Sequence, residues 1–435
     1  MFNIFKLKEN GTTVKTEMYA GLTTFLTMAY IIIVNPIILK DAGVPFEQAF
    51  TATIIAALIG TLLMAFFANY PIAIAPGMGI NAYFAYSVVG NNGVTYQVAF
   101  AAVFVAGLIF LLLSFTSFRK KLIEAIPHSL KHAIAAGIGL FIAFLGLRMA
   151  GVIVANDANL IGLGNLHSNS VILTFIGLTV TLLLMCLNVN GALFIGMVVT
   201  SVVAFFMGEL TFGGAITSMP SLPEGLIITN PIDAFSDVIE HSLYAVVFSF
   251  LLVTIFDTTG TLLGVASKAN MFKDGKLPRV ERALLSDSIS TTVGSMFGTS
   301  PSTAYVESSA GVAAGGRTGL TSLVVAVLFL IAAFFSPVIG AISGLSAITS
   351  PALIVVGCLM IGSIKEIEWD KIDEAFPAFL VILCIPLTSS IATGIALGFI
   401  FYPLMKIAKG QFRTVHPLIY VFAVLFFYQL VFLPH

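Results

Sequence analysis

Residues 298–311 read GTSPSTAYVESSAG, a run of small residues that contains a single acid, Glu307. An earlier stretch, residues 57–79, reads ALIGTLLMAFFANYPIAIAPGMG and has a similar arrangement of glycine and proline. In both stretches a proline interrupts an apolar run, because proline lacks a backbone donor and disfavours helix at the residue before it. The two stretches therefore predict two short extended pieces, each followed by a half-helix that begins near Gly77 or near Glu307.

The chain around these stretches is strongly apolar. Of its 435 residues 58% are hydrophobic and 9% are charged, and the mean hydropathy is +1.04. Soluble domains carry about 25% charged residues, so the composition predicts a polytopic membrane protein. The net charge of −1 argues against a broadly basic nucleic-acid-binding protein. The cysteines, Cys186, Cys358 and Cys384, form neither a disulfide framework nor a CxxC metal motif.

Apolar runs between polar residues predict an all-α fold of about fourteen membrane-spanning segments, seven in each half of the chain. An odd number of spans in each half makes the halves inverted repeats, with short strands in segments 3 and 10. The predicted segments are residues 18–38, 48–69, 71–90, 97–116, 130–152, 170–188, 191–208, 242–267, 281–297, 299–315, 318–342, 349–363, 374–388 and 389–408.

The domain boundaries follow from these segments and from the charges between them. The predicted parts are a cytoplasmic N-terminus (1–17), a first inverted repeat (18–208), an extracellular loop (209–241), a second inverted repeat (242–408) and a C-terminal apolar segment (409–435). The predicted outside loops 153–169 and 209–241 contain no Lys or Arg, whereas most basic residues fall inside, with Lys40 as the clear exception. Whether residues 415–433 cross the membrane stays open at this point.

Two acids lie within predicted spans, Asp257 in segment 8 and Glu307 at the start of the second half-helix. An ionised carboxylate inside a membrane is costly, so such acids are expected to be functional. One acid could accept N–H groups from a ligand and the other could hold a coupling proton. The alternative is that each acid is structural and bonds to neighbouring helix ends. Free backbone groups at the half-helix starts would line the same cavity, a geometry suited to a flat polar molecule.

Other polar and aromatic residues near these segments are weaker candidates, because such side chains in membrane helices often only pack or bond backbone. The candidate ligands are Asn81, Thr258, Thr259, Ser300, Ser302, Thr303, Ser308 and Ser309, with Tyr83, Tyr86 and Tyr305 as stacking residues. Asp287 is interpreted as structural. The sequence has no GxxxxGK phosphate loop and no HExxH metal motif, so neither ATP-driven transport by this chain alone nor a metalloprotease is favoured.

Four stretches closely resemble the AzgA-like hypoxanthine/guanine/adenine permeases of the nucleobase:cation symporter-2 superfamily. They read GLTTFLTMAYIIIVNPIIL, PGMGINAYFAY, FDTTGTLLGVA and GTSPSTAYVESSAGVAAGGRTGL, and the resemblance covers nearly the whole chain. It implies a core domain of segments 1–4 and 8–11 and a gate domain of segments 5–7 and 12–14. The family's binding residues match Asn81, Asp257 and Glu307. Some relatives carry a second acid where this chain has Thr254.

Together, the residues and the resemblance imply a secondary active transporter that imports the purine bases hypoxanthine, guanine and/or adenine. Proton symport with alternating access is the expected mechanism, and Glu307 and Asp257 are the expected proton carriers. No enzyme activity, metal or cofactor is expected. The expected substrate-binding residues are Asp257, Glu307, Asn81, Ala75, Gly77, Val306, Thr258 and Ser308.

Several alternatives remain at this level. Xanthine, uracil or a small anion could be the substrate, and sodium could replace the proton, whereas a channel is disfavoured. The expected location is a bacterial-type plasma membrane with a cytoplasmic N-terminus. A homodimer through the gate domains is a further expectation, and nucleic acid is not an expected partner.

Overall fold

The computed structural model describes residues 2–91, 93–116, 125–156, 160–213, 215–220, 230, 232–272 and 277–432. The described chain is mostly helical, with four short strands. Elements of the first half are α1 (Val14–Met28), α2 (Ile31–Asp41), α3 (Phe46–Leu63), β1 (Ile74–Pro76), α4 (Met78–Ala82), α5 (Tyr96–Ser114), α6 (His128–Ala150), β2 (Ile153–Asn156), β3 (Leu160–Leu163), α7 (Asn169–Cys186) and α8 (Ala192–Phe206). Two of these helices, α3 and α4, continue into wider π-helical turns at Met64–Ala68 and Tyr83–Asn91.

The second half repeats this plan. Its elements are α9 (Asp233–Glu240), α10 (Tyr244–Lys268), α11 (Val280–Phe297), β4 (Ser302–Ala304), α12 (Ser308–Ala313), α13 (Gly319–Ala332), α14 (Ser336–Ile342), α15 (Ser346–Ile361), α16 (Ile372–Thr388), α17 (Ile391–Ala408) and α18 (Pro417–Phe432). Among the described residues, nine helical stretches are long and apolar enough to cross a membrane. The predicted fold of seven plus seven segments is confirmed, with segments 3 and 10 each built from a strand and a half-helix.

Some boundaries differ from the prediction for local reasons. Helix α1 begins at Val14 rather than at residue 18, because the Thr13 hydroxyl accepts a hydrogen bond from the Thr16 amide at 3.2 Å and caps the helix. The predicted outside loops contain structure of their own, the β2–β3 hairpin and the short helix α9, where only loop was expected. Residues 214, 221–229 and 231 of the second predicted loop lie outside the described part.

The two interrupted segments meet through their strands. Strands β1 and β4 pair antiparallel, with Ile74 opposite Ala304 and Pro76 opposite Ser302. Backbone N–H and C=O groups at membrane depth need partners, and here each strand supplies them to the other. The predicted extended pieces and half-helices are therefore both present, and they cross near each other in the middle of the bundle.

Packing divides the segments into the two groups expected from the family resemblance. Helices α1, α3, α5, α10, α11 and α13 pack with the interrupted segments, whereas α6, α7, α8, α15, α16 and α17 pack with one another. Within the second group α6 and α15 approach closely, since a Cβ added at Gly357 would lie 2.4 Å from the Gly139 carbonyl oxygen. The first group is the core domain and the second is the gate domain.

Helix α1 is tied to the start of α13 by a buried acid, Glu17. Its Oε1 accepts from the Arg317 amide at 2.9 Å, and its Oε2 accepts from the amide and hydroxyl of Thr321 at 3.1 and 2.6 Å. The carboxylate thus caps the free N–H groups at the start of a helix. The sequence interpretation had assigned Glu17 to the N-terminal region before the first span, so this contact was missed.

The last apolar run forms α18, which packs lengthwise on the bundle. Its Phe422 and Phe426 rings lie 4.9 and 5.4 Å from the Phe248 ring of α10, and both also contact Phe399 of α17. The opposite face, which includes Val424, stays exposed. A helix that packs on the protein with one face and contacts lipid with the other needs apolar side chains on both faces.

Candidate functional site

A cavity of about 340 Å³ lies between the core and the gate. The core contributes residues of α10 and the start of α4, and the gate contributes residues of α6 and the end of α15. Its lining includes Gly79, Ile80, Lys131, His132, Ile138, Phe256, Asp257, Thr259, Gly260, Thr261 and Met360. Such a volume is typical of a small-molecule site, and a few polar groups among apolar walls would fix the orientation of a ligand.

Asp257 is the only carboxylate of the described residues in this lining, and its side chain is exposed to the cavity. The face of α10 that continues from it is open, because a Cβ added at Gly260 or Gly264 would meet no atom within 4 Å. The Thr303 hydroxyl from β4 interacts with the Asp257 carboxylate. Helix α10 thus holds one acid against the strand pair while leaving space beside it.

Glu307, the residue before α12, is not in this lining but lies close to Asp257. It is half-buried, and the Tyr30 hydroxyl donates to its Oε1 at 2.6 Å. Glu307 and Asp257 are near enough to interact electrostatically. The neighbouring Val306 is 60% exposed. The structure therefore brings the two predicted acids together.

Other predicted site residues are held by bonds within the protein. The Thr258 hydroxyl donates to Asp287 at 2.5 Å on the face of α10 opposite the cavity, and the Ser308 hydroxyl accepts from the Ala73 amide at 3.0 Å. The Gly77 amide donates to the Pro301 carbonyl at 2.9 Å. Ala75 is fully buried in the strand pair. These groups build the scaffold, and the amide of Gly77 is not free for a ligand.

Asn81 is fully buried and points into the core. Its Nδ2 donates to Asn35 Oδ1 at 2.8 Å, and Asn35 in turn donates to the hydroxyls of Thr53 and Thr299 at 2.7 and 3.0 Å. Its Oδ1 has no partner among the described residues. This network joins α2, α3, α4 and the stretch before β4, so it fixes both interrupted segments relative to each other.

The side chains of the three candidate stacking tyrosines also make contacts within the protein. The Tyr305 hydroxyl donates to the Pro76 carbonyl at 2.5 Å, and the Tyr86 hydroxyl donates to Asp41 at 2.6 Å. The Tyr83 ring packs edge-on against Phe250. The aromatic side chain that does line the cavity is Phe256, one residue before Asp257. The sequence interpretation did not single it out, because a phenylalanine in an apolar helix carries no distinguishing signal.

The structure adds four side chains near the site that were not among the expected substrate-binding residues, although Thr259 was a weaker candidate. Tyr30 contacts Glu307 across 277 residues of chain, a distance at which no local pattern indicates contact. Thr259 lines the cavity, and its hydroxyl is buried without a hydrogen-bond partner among the described residues. Lys131 and His132 bring basic groups to the gate side. Within the described residues no cluster of three or more His, Cys, Asp or Glu could hold a metal ion.

A multi-pass, inverted-repeat bundle with a polar cavity between two domains defines a membrane permease rather than an enzyme. The model of the Permease family matches residues 15–397, and the chain belongs to that family. It is 64% identical over 429 residues to the guanine/hypoxanthine permease PbuO of Bacillus subtilis, which covers 98% of this chain and 99% of PbuO.

Two other relatives extend this similarity. The guanine/hypoxanthine permease PbuG of Bacillus subtilis is 48% identical over 443 residues, which cover all of both chains. The adenine permease AdeP of Escherichia coli is 44% identical over 431 residues, 99% of this chain and 96% of AdeP. The resemblance to nucleobase:cation symporters drawn from the sequence motifs is confirmed.

Solved structures share the fold at low sequence identity. The transmembrane domain of the cyanobacterial bicarbonate transporter BicA matches with a TM-score of 0.64 at 15% identity, covering 87% of this chain and 96% of that chain. SLC26A9 matches with a TM-score of 0.65 at 16% identity, covering 92% of this chain and 66% of that chain. These similarities support the seven-plus-seven inverted-repeat architecture.

Proposed function

We propose that this permease imports purine nucleobases by proton symport, with hypoxanthine, guanine and adenine as the candidate substrates. The observation that carries the proposal is the pair of acids, Asp257 in the lining of the cavity and Glu307 near enough to Asp257 to interact with it electrostatically. Purines present ring and exocyclic N–H donors, and carboxylates accept such donors strongly. The names of PbuO, PbuG and AdeP support a purine base as the ligand.

In this proposal Asp257 and Glu307 bind the edge of the base, and Phe256 contacts its face. Thr259 lines the cavity, and a small movement of its buried, unpartnered hydroxyl would supply a further hydrogen-bonding position. The predicted residues Ala75, Gly77, Thr258 and Ser308 act through the scaffold that holds the strand pair and α10. Asn81 likewise acts by holding the first half-helix through Asn35.

The coupling proton would neutralise one of the two acids. Like charges at short range repel each other, so a proton taken up with the base makes the occupied site less costly. Release of the base and the proton on the other side would restore the charged pair. Asp257 and Glu307 are the groups we propose for this step.

The cavity lies near the end of the bundle that carries Lys131 and His132, because its lining comes from the first turns of α6 and from the half of α10 that leads to Lys268. Basic residues favour the cytoplasmic side, so we assign this end to the cytoplasm, together with residues 1–17, in a bacterial-type plasma membrane. Alternating access would then move the core against the gate, where Gly79 of α4 lies against Ile138 of α6. The same proposal includes two inverted repeats, at residues 18–208 and 242–408, and a homodimer that forms through the gate domains.

Competition uptake of radiolabelled hypoxanthine tests the proposal, in cells that lack their own permeases. Unlabelled guanine, adenine, xanthine and uracil are each added as competitors. The assay is run on the intact chain, on Glu307→Gln and on the control Glu47→Gln. Glu47 is an exposed acid in the first turn of α3, away from the cavity. We expect saturable uptake that unlabelled purines block. Glu307→Gln should lose this uptake, and Glu47→Gln should keep it.

Two other results would change the assignment. Uptake that only xanthine or uracil inhibits would move the substrate to another nucleobase. Absence of uptake by a chain that is inserted in the membrane at normal levels would overturn the proposal. Dissipating the proton gradient with an ionophore, while a sodium gradient is kept, separates proton coupling from sodium coupling.

A further inference from the structure

The first two turns of α6 carry a pair of histidines, His128 and His132, in the sequence HSLKH. Residues four apart lie on the same face of a helix, and here the two Nε2 atoms are 3.2 Å apart. The ring centroids are 4.3 Å apart and the ring planes are inclined by 53°. The spacing is that of the two zinc-binding histidines in HExxH, without the glutamate of that motif. One ion could therefore contact both nitrogens.

The distance between the two nitrogens matches what a single transition-metal ion requires. Zinc binds imidazole nitrogen at about 2.0–2.1 Å in tetrahedral geometry, so two nitrogens on one ion are about 3.4 Å apart. An ion with ligands at about 90° brings them to about 2.9 Å at the same bond length. The separation in the protein, 3.2 Å, lies between these values. Only small ring rotations are needed to direct both lone pairs at an ion.

The hydrogen bond between the two rings uses one Nε2 as the donor and the other as the acceptor. To bind a metal ion, both Nε2 atoms need a free lone pair. The donor ring meets this requirement when its hydrogen moves to Nδ1, the other position that carries a hydrogen in neutral imidazole. The charge of the ring does not change in this step. The metal-free contact and the metal chelate therefore differ in the tautomer of one ring.

The part of α6 that carries the pair is fixed by packing. Ser129 and Leu130, which lie between the histidines, are buried. A Cβ added at Gly398 would lie 3.2 Å from Leu130, so this turn packs on α17. His128 is exposed and His132 is half-buried, so an ion can reach the pair from water. Ligands that are positioned before binding lose little freedom when the ion binds.

Charges of both signs surround the pair. Glu366 and Glu368, which follow α15 in the chain, each interact electrostatically with one of the two histidines. Glu368 is also paired with Lys371 at 2.6 Å. Lys131 lies beside the pair and makes an interaction of its own within the protein. Acids attract a metal cation and a lysine repels it, so the affinity for an ion depends chiefly on the two metal–nitrogen bonds.

We propose that His128 and His132 bind one divalent transition-metal ion of the kind that prefers imidazole, such as Zn²⁺ or Ni²⁺. Imidazole suits Zn, Cu and Ni, whereas Mg²⁺ prefers oxygen ligands. Among the described residues no third His, Cys, Asp or Glu completes the site, so water would fill the remaining coordination positions. The metal site goes beyond nucleobase transport and does not depend on which substrate the permease carries.

The ion would lie in the wall of the transport cavity, because His132 lines this cavity together with Asp257. His132 belongs to the gate and Asp257 to the core. A divalent ion on His132 would attract the Asp257 carboxylate across the boundary between the two domains. This attraction would oppose the movement of the core against the gate, so bound metal would slow uptake. This consequence, unlike the site itself, rests on the proposed function.

Titration of Zn²⁺ into the purified full-length protein, with any affinity tag removed, tests the site without transport. Isothermal titration calorimetry gives the affinity and the number of bound ions for the intact protein, for His128→Gln and for His132→Gln. The control variant is His241→Gln, because His241 is an exposed histidine after α9, outside the cavity lining. Mg²⁺ is the control ion.

We expect one Zn²⁺ per chain in the intact protein and in His241→Gln, and no binding of Mg²⁺. Each test variant should bind Zn²⁺ at least about tenfold more weakly, because loss of even a partner that supports a metal ligand costs about 10- to 100-fold in affinity. Equal Zn²⁺ affinity in the intact protein and both test variants, or no binding at all, would overturn the site. A loss in only one test variant would place the ion on a single histidine and overturn the chelate.

Thermal unfolding without metal checks that each variant is folded, and His128→Gln, which changes an exposed side chain, decides the test if His132→Gln is not folded. In the uptake assay, Zn²⁺ should inhibit the intact chain and His241→Gln more strongly than His128→Gln. Zn²⁺ binding without this difference would keep the site and refute its effect on transport. The calorimetric result holds whether or not the chain transports purines.

Discussion

Segments 3 and 10 share one backbone plan but differ in the environment of their polar side chains. Each has a short strand followed by a half-helix, and the two strands pair with each other. The half-helix of segment 3 starts after Gly77, and its polar side chain, Asn81, is fully buried in a hydrogen-bond network. The half-helix of segment 10 starts after Glu307, a half-buried acid beside the cavity. The same backbone plan therefore holds a buried, hydrogen-bonded scaffold residue in one copy and, in the other, the acid that we propose to bind the base.

The surroundings of the two half-helices differ in the same way. Gly79 of α4 lies against Ile138 of the gate, where an added Cβ would be 2.2 Å from Ile138 Cγ2. Gly311 of α12 lies against α1 of the core, where an added Cβ would be 2.0 Å from Thr24 Oγ1. Segment 3 thus faces the gate, against which we propose that the core moves, and segment 10 faces a helix of its own core domain. This difference can be tested position by position.

The largest expected effect is the difference in hypoxanthine affinity between substitutions at Glu307 and at Asn81. Glu307→Ala removes a charged acceptor, worth about 1.5–3 kcal/mol, so hypoxanthine affinity should fall roughly 10- to 150-fold. Asn81→Ala should weaken affinity by less than about threefold while lowering stability, since it removes the shorter of the two hydrogen bonds that the buried Asn35 Oδ1 accepts. Substrate binding and thermal unfolding of both purified variants measure this. Equal losses of affinity would mean that both half-helices touch the base.

The next effect concerns the contact between segment 3 and the gate. Gly79→Ala places a methyl group against Ile138, and such overpacking costs about 1–3 kcal/mol, so uptake should slow roughly tenfold. The double variant with Ile138→Ala should recover most of the rate. Gly362→Ala is the control, because an added Cβ there meets nothing within 4 Å. Uptake rates at saturating hypoxanthine provide the measurement, and a normal rate in Gly79→Ala would contradict a moving interface here.

A smaller effect is expected from Tyr30, the partner of Glu307. Tyr30→Phe removes one hydrogen bond to the carboxylate, about 0.5–1.5 kcal/mol, so affinity should fall roughly two- to tenfold. The same change in a Glu307→Gln background should have little further effect, because the two residues act as one unit. Tyr19→Phe is the control, because Tyr19 lies on α1, the helix just before Tyr30 in the chain, and its side chain is exposed. Additive losses in the double variant would show that Tyr30 acts independently of Glu307.

The smallest effect on transport is expected at Ser308, which was predicted as a ligand. Its hydroxyl accepts from the Ala73 amide, so Ser308→Ala should lower the free energy of unfolding by about 1–3 kcal/mol and leave affinity nearly unchanged. Ser309→Ala should affect neither, because the Ser309 hydroxyl has no partner among the described residues. Thermal unfolding and hypoxanthine binding of both variants decide this. A large loss of affinity in Ser308→Ala would show that Ser308 contacts the base.

The parts of the site that could be predicted were the ones with a local signal. An acid in an apolar helix is visible in the sequence, and so is a proline that breaks a span, which is why Asp257 and Glu307 were identified. The direction of neighbouring side chains was not visible. Asp257 and Thr258 are adjacent, yet one faces the cavity and the other bonds Asp287 inside the core, because successive residues of a helix point to different sides.

By itself, the sequence determined that this chain spans a membrane in two seven-segment halves, with paired interruptions and two intramembrane acids. Those features depend on hydropathy and backbone chemistry within single stretches of chain. Only the tertiary structure decided which polar groups are already bonded, as at Gly77 and Ser308, and which face the cavity. Hydrogen-bond partners such as Tyr30 and Glu307 come from distant segments, so the groups left for a ligand are a property of the assembled bundle.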